Sequence, residues 1–278
     1  MTLIAGILAA WAYPDLGVYG PTLGVVAGAA LQVAILMPGL LENNFRYRPA
    51  WDLGDKRLGE VIRLLIPNGL SVGVGYAGFI LDTAFASKAP ETEALPAIYN
   101  AWLLVGLPIA LLGQAVGQAA FPRLSAHVTA LEWSRMRRTL LRALAAVVAL
   151  AIPTLLGLIF LGRPTISILF EHGRFDAAAG SLTYAVLIPY AVALPAYVAT
   201  EVITRGLIAL RDTRTPLLTN SAQFAGRAAI IALLLGSIGV LAIPVAFAVT
   251  ASVETVALGV VLLLKLQRRM RLGAAVAH

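Results

Sequence analysis

Residues Thr139–Leu161 read TLLRALAAVVALAIPTLLGLIFL, a run whose one charge is Arg142. At 1.5 Å per residue a helix of this length covers about 34 Å, enough to cross a hydrocarbon layer. It is apolar on every face, as a helix solvated by lipid must be. Outward from it the pattern recurs, giving candidate membrane segments at about 2–13, 18–41, 62–86, 96–120, 139–161, 182–209, 216–236 and 239–265. The first is too short to span alone and looks cut off on its N-terminal side. Across 278 residues, 59% are hydrophobic and 13% charged, more apolar surface than one soluble core can hide. The expected fold is all-α: a polytopic membrane helix bundle of about eight segments. A soluble enzyme, a secreted disulfide scaffold and a nucleic-acid module are excluded as whole-chain readings.

The basic residues predict orientation. Of 21 Lys and Arg, 17 fall in alternate gaps, at the helix ends beside them or in the C-terminal tail. The opposite gaps hold Lys88, Arg163 and Arg174, and Arg227 lies inside a span. By the positive-inside rule the linkers near 42–60, 121–142 and 205–215, and the C-terminus, face the cytoplasm. The net charge of +7 then reflects topology and anionic headgroups, with no nucleic acid as partner. The linker from Arg123 to Arg142 carries Leu131, Met136, Leu140 and Leu141 near helical spacing, which predicts a stretch lying along the membrane surface.

Cysteine is absent, so no disulfide or thiolate metal site exists. His127, His172 and His278 lie far apart in the sequence, and no metal site or cofactor is expected. No phosphate-binding loop, nucleophile elbow or paired-carboxylate motif appears, so the chain is not read as an enzyme. Prolines recur in or near the spans, at Pro21, Pro38, Pro67, Pro108, Pro153, Pro189, Pro195 and Pro244. In number they fit a transporter-like bundle of bent helices. Gly69, Gly73, Gly75 and Gly78, with Gly113 and Gly117, suit close helix packing.

Intramembrane charges are the sharpest functional signal, since each is costly in lipid and turns toward an interior. They are Asp82, Glu201, Arg205, Arg227 and Glu254, with Asn68 and Gln114 among the accompanying polar groups. These are the candidate lining of a substrate or ion pathway. Glu201 precedes Arg205 by one helical turn, the favourable order for a simple pair. Asp82 and Arg227 carry opposite charges, and their approach within the bundle would satisfy both.

Several strings resemble the MurJ/MviN family of lipid II flippases, within the multidrug/oligosaccharidyl-lipid/polysaccharide exporter superfamily. They are Ile168-Leu-Phe-Glu-His-Gly-Arg-Phe-Asp176, Arg205-Gly-Leu-Ile-Ala-Leu-Arg-Asp-Thr-Arg-Thr-Pro216, Leu107-Pro-Ile-Ala-Leu-Leu-Gly, Ala120-Phe-Pro-Arg-Leu-Ser125, Leu36-Met-Pro-Gly-Leu40 and Arg46-Tyr-Arg-Pro49. The resemblance implies two six-helix lobes around a central cavity. On that alignment residues 1–60 close a first lobe with its cytoplasmic inter-lobe link, and 61–278 form the second lobe with a cytoplasmic tail. The chain is then expected to be a fragment or split product whose partner is an N-terminal lobe, with no room after Arg271 for further helices.

The implied activity is movement of lipid II, a lipid-linked cell-wall precursor, from the inner to the outer leaflet of the bacterial inner membrane by alternating access. The partners would be that precursor and bilayer lipids. Two departures keep rivals open. Where similar sequences carry an arginine and an acidic residue before the proline, Ala101-Trp-Leu-Leu-Val-Gly-Leu107 is uncharged. Some relatives hold a monovalent cation near the positions of Asp82 and Arg227, where an arginine would place a tethered charge instead. The rivals are another exporter of the superfamily, for polysaccharide units or amphipathic cations, and a non-transporting membrane fragment.

Overall fold

The computed structural model describes residues 19–42, 56–173 and 175–276. The expected segment at 2–13, the middle of the 42–60 linker, Arg46–Pro49, Arg174 and His278 lie outside them. The described residues are helical throughout, with no strand. Six stretches are long and apolar enough to cross a membrane: Thr22–Gly39, Val61–Ala86, Ala94–Thr129, Trp133–Phe170, Ala177–Ala209 and Arg214–Arg271. The chain divides into two compact units, 1–55 and 56–278.

The first unit contributes helix α1 (Tyr19–Glu42), apolar along its length with Pro38 inside. The second contains α2 (Lys56–Ala86), α3 (Ala94–Pro108), a π-helical stretch (Ile109–Gln114), α4 (Ala115–Thr129), α5 (Trp133–Phe170), α6 (Ala177–Ala209), α7 (Arg214–Ile238) and α8 (Ala242–Val276). The π-helical stretch starts directly after Pro108, where the missing amide breaks the regular hydrogen-bond ladder.

The last apolar stretch is two helices, because the backbone reverses at Gly239, φ +58°. A side chain there would meet both the left-handed penalty and the Glu91 carboxylate. That carboxylate, from the loop before α3, accepts the amide of Val240 at 3.1 Å. Contacts at Asp212–Lys265, Thr219–Glu254 and Arg227–Phe247 run α7 and α8 antiparallel.

Helix α6 is the spine. It packs against α5, α8, α3 and α4, and Val186, Leu187, Tyr190, Leu194, Val198, Val202 and Leu207 are fully buried on it. Gly162 lets α5 come close, since a Cβ there would stand 2.8 Å from a Leu187 methyl. The Tyr184 hydroxyl donates to the Ile159 carbonyl at 2.6 Å across the same seam.

Two of the quoted strings are helix junctions. At the end of α5, Glu171 accepts from Ser167 Oγ at 2.6 Å and pairs with Arg163 at 2.5 Å. Gly173 takes φ +62°, and Asp176 caps α6 by accepting the Ala179 amide at 2.9 Å. At the other end of α6, Arg211 turns the backbone at φ +58°, and Asp212 accepts from the amide and hydroxyl of Thr215 at 3.1 and 2.6 Å.

Two sequence expectations are corrected. The stretch from Arg123 to Arg142 is not a separate surface-lying segment: α4 and α5 run on and meet in a three-residue turn, Ala130–Glu132. Met136 and Leu140 are buried in the lobe while Leu131 is exposed in the turn. The helices project beyond the apolar core, and their charged ends mimic a linker. Second, Gly69, Gly73 and Gly75 of α2 face no neighbouring atom within 4 Å, whereas Gly78, Gly113 and Gly117 do meet neighbours. The expected close packing therefore holds for only part of the set.

Candidate functional site: charges inside the second unit

Asp82 near the end of α2 and Arg227 midway along α7 form a salt bridge through Nη2 and Oδ2. They are 4% and 6% exposed, so the pair is dry. Gly78, one turn before Asp82, leaves the room: a Cβ there would lie 3.4 Å from Arg227 Nη1. The guanidinium also stands 4.8 Å from the centroid of the Phe247 ring on α8, a cation–π position. Phe247 belongs to an edge-to-face cluster with Trp102 of α3 and Tyr190 of α6, at 5.4–5.5 Å between centroids. Tyr197 stacks obliquely on Phe247 at 5.3 Å. Asp82 Oδ1, Arg227 Nε and the Tyr190 hydroxyl are buried with no hydrogen-bond partner among the described residues.

Nearer the opposite end, Glu201 and Arg205 of α6 pair loosely at 3.9 Å and are each partly exposed. Gly113 and Gly117 make their berth: a Cβ at Gly113 would stand 3.1 Å from Glu201 Cγ, and one at Gly117 3.3 Å from Arg205 Cγ. Glu254 of α8 accepts from Thr219 of α7 at 3.4 Å. Thr200 and Thr255 share a hydrogen bond of 2.7 Å.

Arg205 also lines a cleft of about 610 Å³ between α2, α4 and α6, with Asn68, Gln118, Phe121 and Thr213. The sequence candidates therefore gather into a closed pair, Asp82–Arg227, and an open group, Glu201–Arg205–Glu254, with Asn68 across the cleft. Gln114 sits exposed on the π-helical stretch and does not line the cleft; Gln118, one turn on, does. Thr219, Tyr190 and Phe247 were not anticipated, because a threonine or aromatic residue in an apolar helix reads as core.

At the rim, burial raises the Asp212 carboxyl, but hydrogen bonds from Lys265 and Thr215 outweigh it and hold the group below the ordinary carboxylate range. Glu171 is likewise held low, first by the Ser167 hydrogen bond and then, against some burial, by Arg163.

Residues 1–276 match the family described as lipid II flippase MurJ. The chain belongs to the MurJ family. The MurJ relative named lipid II flippase from Burkholderia cenocepacia is 30% identical over 212 residues, 72% of this chain and 39% of the relative. A probable lipid II flippase MurJ from Vibrio cholerae is 26% identical over 216 residues, 76% of this chain and 40% of the relative. The chain thus spans about two fifths of the length of these MurJ relatives.

Its fold resembles a solved lipid II flippase MurJ in an inward closed conformation, with TM-score 0.71, 20% identity and coverage of 92% of this chain and 53% of the other. It also resembles a MATE structure solved in complex with MaL6, with TM-score 0.82, 10% identity and coverage of 97% and 63%. The resemblance identified from short strings is therefore the family itself, and the MATE likeness shows a shared fold.

Proposed function

We propose that this chain supplies the second lobe of a MurJ-type flippase, which moves lipid II from the inner to the outer leaflet by alternating access. The observation that carries this reading is the match of residues 1–276 to the lipid II flippase family. The helices agree with it: charges are kept inside the lobe, and a cleft opens beside Arg205. Rocking of one lobe against another is how such bundles move a solute past a midplane site, and the cavity's other wall would come from an N-terminal lobe. The lobe lies in the bacterial inner membrane with its basic end, where α6 and α8 finish, in the cytoplasm.

Within this reading Arg227 serves Asp82 as a tethered counter-ion, and a monovalent cation is left the open Glu201–Glu254 group. The test is reconstitution in liposomes with labelled lipid II. The chain alone should give no protein-dependent translocation, and the chain joined to a MurJ first lobe should give it. Translocation by the lone chain, or none from the joined protein, would overturn the proposal. Single cysteines at Ser134 and Glu93, at opposite ends of the lobe, check orientation. A membrane-impermeant thiol reagent should label only Glu93→Cys in intact cells.

One observation favours a second reading, an exporter of amphipathic cations. The Ala101–Leu107 stretch is uncharged, with Ala101 and Val105 fully buried, while Glu201 and Glu254 leave the open group with excess negative charge. Export of a cationic dye by the joined protein, without lipid II movement, would select it.

A further inference from the structure

The first turns of α5 carry a face that the bundle does not use. Met136, Leu140 and Val147 point into the lobe and are fully buried. The opposite face presents Arg137, Arg138, Leu141, Arg142 and Ala145, all exposed. With Met270 of α8 they line a groove of about 480 Å³ at the end of the bundle. Glu132, the acidic residue of the adjoining turn, is already engaged by Arg135 at 2.5 Å and His127 at 2.9 Å. The three groove arginines therefore have no carboxylate partner among the described residues. Arg269, whose guanidinium lies 5.6 Å from the Trp133 ring, adds positive charge beside them.

Three unpaired guanidinium groups, each able to present a fork of donors, suit a phosphate monoanion. The floor of Leu141, Ala145 and Met270 is apolar, and beyond Arg142 helix α5 carries no charge until Arg163. A ligand with a phosphate on the arginines would have hydrocarbon alongside it. We propose that this groove between α5 and α8 is a binding site for an anionic membrane phospholipid, its headgroup phosphate held by Arg137, Arg138 and Arg142. The site lies apart from the internal charges and stands whether or not the lobe takes part in lipid II movement. Basic pockets between helices at a membrane boundary recognise lipids in this way.

The test uses the full 278-residue chain in mild detergent, titrated with phosphatidylglycerol or phosphatidylcholine, bound lipid being counted by native mass spectrometry. Phosphatidylglycerol should be retained over phosphatidylcholine. Each arginine contributes roughly fivefold near a charged surface, so R137Q/R138Q/R142Q should lower that preference by about tenfold or more. A control triple of equal charge loss away from the groove, R63Q/R123Q/R214Q, should change it less than about twofold. Should the groove triple fold poorly, Arg142→Gln alone should still lower the preference several-fold. Equal loss in both triples would mean diffuse attraction and overturn the site. So would absence of a phosphatidylglycerol preference, or displacement of the lipid by millimolar inorganic phosphate, which would make the groove a site for a free anion.

Discussion

The two charged groups inside the second unit are built on opposite principles. Asp82–Arg227 is sealed, walled by Phe247 and packed beside Tyr190 and Trp102, with both side chains under 10% exposed. Glu201–Arg205 is stretched to 3.9 Å, partly exposed, and opens on a cleft. A buried pair contributes little net stability, since desolvation offsets its attraction, yet removing one partner strands the other. An open pair is weak either way, but can exchange partners. The closed pair therefore locks α2 to α7, while the open pair leaves Arg205 accessible from the cleft.

The largest effect should come from breaking the lock. Asp82→Asn or Arg227→Gln alone should each destabilise the chain by about 3–5 kcal/mol, because a lone charge remains under the aromatic cluster. The double substitution should cost clearly less than the sum, a coupling of more than about 1 kcal/mol in a thermal-unfolding cycle in detergent. Full additivity would mean the two charges do not depend on each other and would erase the contrast.

The glycines sharpen the same contrast. Gly113 faces Glu201 and the Val198 backbone at 3.1–3.3 Å, so Gly113→Val should overpack the seam and cost about 1–3 kcal/mol. Gly73 faces open space, and Gly73→Ala should be neutral or stabilising by up to about 1 kcal/mol, as alanine favours a helix. Comparable losses at both positions would show that α2 is packed on that side as tightly as the π-helical stretch.

How far these features could be read beforehand depended on the energy behind each. The spans were plain because a long apolar helix has no soluble alternative. The Asp82–Arg227 pairing was readable because two opposite charges in apolar helices have few other ways to be satisfied. The α4–α5 turn reads as a surface segment in the sequence, since charge density marks where helices leave the hydrocarbon, not where they stop. Glycines of α2 and of the π-helical stretch look alike in sequence; only the neighbouring helix distinguishes Gly73 from Gly113. Glu254's partner, Thr219, is 35 residues away and carries no signal of its own.

The open pair itself should register weakly. A cycle of Glu201→Gln with Arg205→Gln should give a coupling below about 1 kcal/mol, the range for a partly exposed i,i+4 pair. A coupling as large as that of Asp82–Arg227 would show that the cleft closes over it.

The smallest effect concerns Asp212, whose links to Lys265 and Thr215 join the ends of α7 and α8 at the rim. Its folded carboxyl lies below the ordinary 3.8, so the folded state binds this proton less readily than the unfolded chain does. The clip's contribution is then fully present above that ordinary value, and is lost as pH falls through the lower folded one. The Asp212 side chain is largely covered but its partner Lys265 is partly exposed, and screening at that end keeps the term at about 1 kcal/mol or less. Unfolding midpoints in detergent from pH 6 to pH 3 should decline at the acid end, and Asp212→Asn should flatten part of that decline while lowering the plateau slightly. Asp82→Asn should lower the plateau much further, which separates a rim clip from an interior lock. An unchanged acid limb in Asp212→Asn would assign the decline to other carboxylates, with Glu171, held low by Ser167 and Arg163 at the opposite end, the next to substitute.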